Sequence, residues 1–110
     1  MNMNNTQPKR KRLVIDEKAI GHYGALRLRY IREYKPKLYR ELRRDGTIEE
    51  YLIRINRSAC EAFDTMVKQY AESEGTNEQL RINDPDDYRV RMNTIKATVS
   101  EIILHDYVYY

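Results

Sequence analysis

The chain has 110 residues, 41% of them hydrophobic and 34% charged, with a formal net charge of +3 and a mean hydropathy of −0.84, which fits a single folded domain with a broad polar surface. One cysteine excludes an internal disulfide framework and fits a reducing compartment, and no apolar run approaches the roughly 20 residues of a membrane span. The small net charge conceals a division: residues 1–44 carry thirteen Lys/Arg against four Asp/Glu, whereas residues 45–110 carry seven against thirteen. A basic front joined to an acidic back suits a surface that meets a polyanion.

The opening MNMNNTQPKRKR is polar and then basic, with no apolar stretch or small-residue cleavage site behind it, so it reads as no signal peptide. Nothing there is fit for burial, and residues 1–18 are expected to form a flexible basic arm before a single helical domain at 19–110. Leu13, Val14 and Ile15 offer at most a short extended piece. Helical spacing begins near Gly21, with apolar residues at Tyr23, Leu26, Tyr30, Ile31 and Tyr34. Pro36 ends that helix near Tyr34, because the residue before proline is pushed out of the α region. Proline also tolerates a first helical turn, so a second helix is expected from Pro36 to about Arg44, closed by Gly46.

Thr47 and Glu50 have the spacing of a capping box. The helix they open carries a stripe through Ile48, Leu52, Ile55, Ala59, Ala62, Met66 and Tyr70, and should run to about Glu74. Thr76 and Gln79 repeat the capping spacing for a short turn. Asp84-Pro85-Asp86-Asp87 combines a capping side chain, proline at the first position and acids at the positive end of the dipole. The last helix places Tyr88, Met92, Ile95, Val99 and Ile102 along a narrow seam, and Tyr107 to Tyr110 reads as an extended aromatic tail. Seams of this kind predict an all-α bundle with two long antiparallel helices and shorter N-terminal ones.

Between residues 20 and 44 there are eight basic residues against Glu33 and Glu41. On the second helix, Lys37, Arg40, Arg43 and Arg44 project opposite Leu38, Tyr39 and Leu42, and Arg29 and Arg32 lie away from the tyrosines of the first. These six residues form the candidate nucleic-acid face, with contacts mainly to DNA phosphates. An acidic protein partner and plain solvation are the competing explanations. Arg27 sits among Tyr23, Tyr30 and Ile31 and reads instead as a packed, cation–π arginine. His22, His105 and Cys60 share no metal-ligand spacing. Next to Ala59, Cys60 reads as a small buried hydrophobe. Beside Met92, Asn93 reads as a buried polar residue that fixes helix register. No phosphate loop, nucleophile motif or metal motif appears, so no enzyme activity, metal, cofactor or small-molecule substrate is expected.

The runs IGHYGALRLRY (20–30), LYRELRRDGTIEEYL (38–52), EGTNEQL (74–80), RMNTI (91–95) and EIILHDYVY (101–109) together resemble the TnpV family, small transposon-encoded proteins of Firmicutes mobile elements. The matching positions are Gly21, Tyr23, Gly24, Arg27, Tyr30, Tyr39, Gly46, Leu52, Glu74, Gly75, Gln79, Leu80, Met92, Asn93 and His105. The chain departs from that pattern at Tyr88, where the family often has Trp, around Arg57, where it is often acidic, and in the arm Lys9 to Arg12. The resemblance implies residence on a mobile element and a helical fold, and it carries over no catalytic residue. The expectation is therefore a cytoplasmic accessory protein that binds DNA in excision, integration or its regulation. The alternative is an adaptor whose basic half docks on an acidic partner, such as the element's recombinase or a second copy of itself.

Overall fold

The structure, a computed structural model, describes residues 14–110; the basic run Lys9 to Arg12 of the expected arm and Leu13 lie outside it. Every regular element among the described residues is helical: α1 (Glu17–Tyr34), α2 (Pro36–Asp45), α3 (Ile48–Ser73), α4 (Glu78–Asn83) and α5 (Pro85–Ile103), the last running on into a π-helical turn at Leu104–Val108. The all-α expectation holds, with α3 and α5 as the two long members. They are antiparallel: Ile102 lies beside Met66, Tyr70 and Ser73, while Tyr107 lies further back along α3, beside Ser58 and Ala62.

α1 begins earlier than its hydrophobic spacing suggests. Asp16 caps it, accepting a hydrogen bond from the Lys18 amide at 3.1 Å, and the chain then kinks at Gly21, where φ is 76° and ψ 178°. That backbone region is open essentially to glycine alone. The kink leaves the Tyr23 amide without a partner in its own helix, and the Asn56 side chain of α3 accepts from it at 3.0 Å. One residue of α3 thus caps the second limb of α1. A Cβ on Gly21 would stand 2.3 Å from that amide group, and a Cβ on Gly24 would stand 3.0 Å from the Leu52 carbonyl oxygen. Beyond the kink α1 runs antiparallel to the first half of α3, since Tyr23 meets Asn56, Gly24 meets Leu52 and Arg27 meets Tyr51. The limb before Gly21 folds back, so that the Asp16 amide donates to Glu49 at 3.3 Å.

The result is long and thin, 71 × 25 × 16 Å with a radius of gyration of 19.7 Å, against roughly 13 Å for a compact chain of this size. It holds two small cores. One joins Ile20, Leu28, Ile31, Ile48 and Leu52, covered by Leu38, Tyr39 and Leu42 of α2. The other joins Ala59 of α3 to Ile95, Val99 and Ile103 of α5. α3 spans both. Of its long stripe only Ile48, Leu52 and Ala59 are fully buried. Among the described residues α4 packs on α5 alone.

Several local expectations are corrected. The side chain of Thr47 makes no capping bond, and its backbone, at φ −110° and ψ 7°, is not in the extended conformation of a side-chain cap. Its amide is already committed to the Leu42 carbonyl in the turn that closes α2 at Gly46. Thr76 likewise belongs to the end of α3, its amide bonding the Ala71 carbonyl, and Asn77 caps α4 by accepting from Leu80 at 3.0 Å. Cys60 is exposed and so is Asn93: each lies one helical step, about 100°, from the core residue beside it. The tail is not extended, because a wider π turn carries Leu104 to Val108. Asp84 does cap α5, accepting from the Asp87 amide at 3.2 Å.

Two substitutions test this account. Gly21→Ala should lower the unfolding free energy by about 2 kcal/mol or more, since an alanine is strained at this φ and also meets Asn56; urea denaturation should show a lower midpoint with an unchanged slope. Thr76 is 4% exposed and its hydroxyl oxygen has no hydrogen-bond partner. Thr76→Val should therefore stabilise the fold by about 1 kcal/mol, a rise of about 4–8 °C in thermal midpoint; a fall would mean that the hydroxyl is satisfied.

Candidate nucleic-acid interface

α2 is amphipathic as expected. Leu38, Tyr39 and Leu42 cover the first core, and Lys37, Arg40 and Arg44 are exposed. Spacings of three and four residues put those three cations on one side of the helix. Arg43 is different: it is half-buried, with its guanidinium 5.8 Å from the centre of the Tyr39 ring. Arg44 lies 3.6 Å from the Asp45 carboxylate. On α1, Arg29 and Arg32 are exposed while Leu28 and Ile31 are buried. None of Arg29, Arg32, Lys37 and Arg40 forms an ion pair among the described residues. In the acidic half Arg81 pairs with Glu78, Arg89 with Asp86 and Arg91 with Asp87, whereas the exposed Arg54, Arg57, Lys68 and Lys96 form no ion pair among the described residues. Those pairs are exposed and contribute little to stability, but they neutralise that surface locally.

Beneath the basic face lies Arg27, 2% exposed. Its Nη1 donates to the backbone oxygens of Val108 and Tyr110 at 2.9 and 3.0 Å. Its Nε and Nη2 donate to the Tyr51 hydroxyl at 3.0 and 2.9 Å. The guanidinium carbon lies 3.9 Å from the Tyr110 ring centre, 5.7 Å from that of Tyr30 and 5.9 Å from that of Tyr51. The expected packed, cation–π arginine is thus present, and it does more than pack: it fastens the end of the chain onto α1 and α3. Tyr109 is thereby set against Tyr30, with ring centres 5.4 Å apart, and Tyr34 lies against Tyr30 with centres 5.2 Å apart and the planes tilted by 39°. No residue spacing marks Tyr109 as a neighbour of the α1 tyrosines, which lie some eighty residues away along the chain.

Two shallow clefts meet at this aromatic group. One, of about 530 Å³, is bordered by Leu26, Arg29, Tyr30, Glu33, Tyr34 and Tyr109. The other, of about 460 Å³, is bordered by Tyr34, Lys37, Arg40 and Glu41 with the chain between α1 and α2. Tyr34 belongs to both, so Arg29 of α1 and Lys37 and Arg40 of α2 lie on either side of it. Arg32, Arg43 and Arg44 border neither cleft.

Elsewhere the chemistry is sparse. His105 Nδ1 lies 2.7 Å from the Asp106 carboxylate, and both side chains are open to solvent. Among the described residues no group of three or more His, Cys, Asp or Glu gathers to hold a metal ion, and no helix is long and apolar enough to cross a membrane. Burial raises the Tyr23 phenol above its usual value, helped by the Cys60 thiol and opposed by a hydrogen bond with Ser100. Burial, then the neighbouring Tyr51, raises the Tyr110 phenol, and the Arg27 cation opposes the rise.

A family model described as transposon-encoded protein TnpV matches residues 11–108. Neither a curated protein nor a solved structure matches the chain.

Arg27→Met should cost about 2–4 kcal/mol, because it strands the backbone oxygens of Val108 and Tyr110. Hydrogen exchange at the Tyr109 amide, which bonds Leu104 at 2.8 Å, should quicken in that variant. Arg27→Lys should recover only part of the loss, because an ammonium lacks the planar fork. The raised phenols carry a pH signature. Both favour the neutral form in the fold, so their contribution is complete below about pH 10 and is lost as pH rises through the shifted values. Urea midpoints should fall above about pH 10, with Tyr110→Phe lessening the fall.

Proposed function

We propose that this chain, which belongs to the TnpV family of transposon-encoded proteins, is a cytoplasmic accessory DNA-binding protein of its mobile element, acting in excision, integration or the regulation of either. It is a binding protein and not a catalyst. The observation that carries this reading is the disposition of charge: Arg29, Arg32, Lys37 and Arg40 are exposed with no ion pair among the described residues, on two helices whose basic residues outnumber their acidic ones.

Four uncompensated cations on two joined helices attract a polyanion from solution. Each phosphate they neutralise releases condensed counterions, so affinity depends steeply on salt. Phosphate contacts fix position and carry no sequence information; the proposed role is accordingly one of gripping and positioning DNA, leaving sequence choice to other components. Arg43, stacked on Tyr39, and Arg44, beside Asp45, supplement the grip from the far end of α2.

A mobility-shift titration at increasing salt tests the proposal. The logarithm of affinity should fall linearly with the logarithm of salt, with a slope of roughly −0.9 per duplex phosphate contacted. The triple variant Arg32→Glu, Lys37→Glu, Arg40→Glu changes only exposed, unpaired side chains, so it should fold normally and lose the shift. Equal binding by that variant would end the DNA reading. Capture of an acidic protein that survives nuclease treatment, without any DNA shift at low salt, would put the adaptor in its place.

A further inference from the structure

We infer that the preferred ligand of this face is single-stranded DNA, with exposed bases stacking on Tyr34 and Tyr109. The inference rests on the reading that the basic face binds DNA, and it names the form of DNA bound. Tyr34 is 65% exposed and Tyr109 41%, and both rings are in contact with Tyr30. Their exposed area is a surface that the protein's own packing leaves uncovered. Base–aromatic stacking tolerates any sequence, because every base has a π face.

The surroundings match the other half of a nucleotide. Arg29 borders the cleft between Tyr34 and Tyr109, and Lys37 and Arg40 border the adjoining cleft on the other side of Tyr34. Cations therefore border the clefts on both sides of Tyr34, with Arg29 on the side it shares with Tyr109, as a strand needs whose phosphates alternate with its bases. Glu33 and Glu41 border the same clefts and repel phosphate there, which assigns the backbone to the cations and the bases to the rings. In duplex DNA the base faces are already stacked on one another. A duplex can thus use the cations but not the tyrosines, and the rings discriminate in favour of a single strand.

The Tyr109 ring is also held before the ligand arrives. The Tyr109 amide bonds the Leu104 carbonyl, and the backbone oxygens on either side of Tyr109, those of Val108 and Tyr110, both accept from buried Arg27. Tyr30 supports both rings from beneath. A platform fixed in this way loses little further freedom on binding.

The test uses the full chain with a labelled single strand of mixed sequence and the matching duplex, followed by fluorescence anisotropy at low salt. The wild-type chain should bind the single strand more tightly than the duplex. Tyr34→Ala with Tyr109→Ala should weaken the single strand roughly 10- to 100-fold and change the duplex less than about twofold. Tyr34→Phe with Tyr109→Phe keeps both ring faces and should bind like the wild type. An abasic single strand should bind the wild-type chain more weakly and be indifferent to the alanine pair. Equal losses on both DNA forms, or no loss on the single strand, would overturn the stacking assignment. If duplex binding still responds to the charge-reversed triple variant while single-strand binding ignores the tyrosines, this inference fails and the DNA-binding reading stands. Absence of binding to either form removes both. Tighter binding to RNA of the same sequence would overturn the choice of DNA.

Discussion

A buried guanidinium organises one end of this molecule. A charged group taken out of water is costly unless its donors are met, and the oxygens that meet those of Arg27 on α1 come from two other parts of the chain: α3 supplies the Tyr51 hydroxyl, and the C-terminal segment supplies two backbone oxygens. Satisfying Arg27 therefore requires α1, α3 and the chain end to meet at one place. The same requirement fixes the position of Tyr109 against Tyr30. A structural solution to one desolvated cation thus also determines the shape of an exposed aromatic surface, and the proposed function depends on that surface being held in advance.

The other constraint is close approach. The backbone of α1 comes close to α3 where side chains are missing, at Gly24 over the Leu52 carbonyl and at Gly21 over Asn56. Asn56 then gives the Tyr23 amide the partner that the kink removed.

Helix existence was highly legible in the sequence. Pro36 separates α1 from α2, Gly46 and Gly75 close α2 and α3, and Asp84-Pro85 opens α5, because each acts through backbone constraints that need no distant partner. Where spacing misleads, the outcome turns on which of two neighbouring demands a residue serves. Thr47 and Thr76 have capping spacing, yet their amides close the preceding helices. Cys60 and Asn93 adjoin core residues and face water, because one step along a helix turns a side chain by about 100°. The polar residue that bridges α1 and α3 is Asn56. Its spacing does not mark it out, because its partner exists only after Gly21 breaks the first helix.

The amino-acid sequence determined by itself that the chain is helical, where its helices stop, that Arg27 packs among aromatic rings and that the outer side of α2 is basic. All of these follow from local spacing, which repeats every three or four residues and is readable without knowing what lies opposite. The tertiary structure alone decided that Tyr109 joins Tyr30 and Tyr34, that Arg29 and Arg40 flank that cluster while Arg43 turns aside onto Tyr39, and that two small cores replace one. These outcomes depend on which distant groups satisfy the Arg27 donors and the freed Tyr23 amide, and local periodicity carries no information about partners some eighty or thirty residues away along the chain.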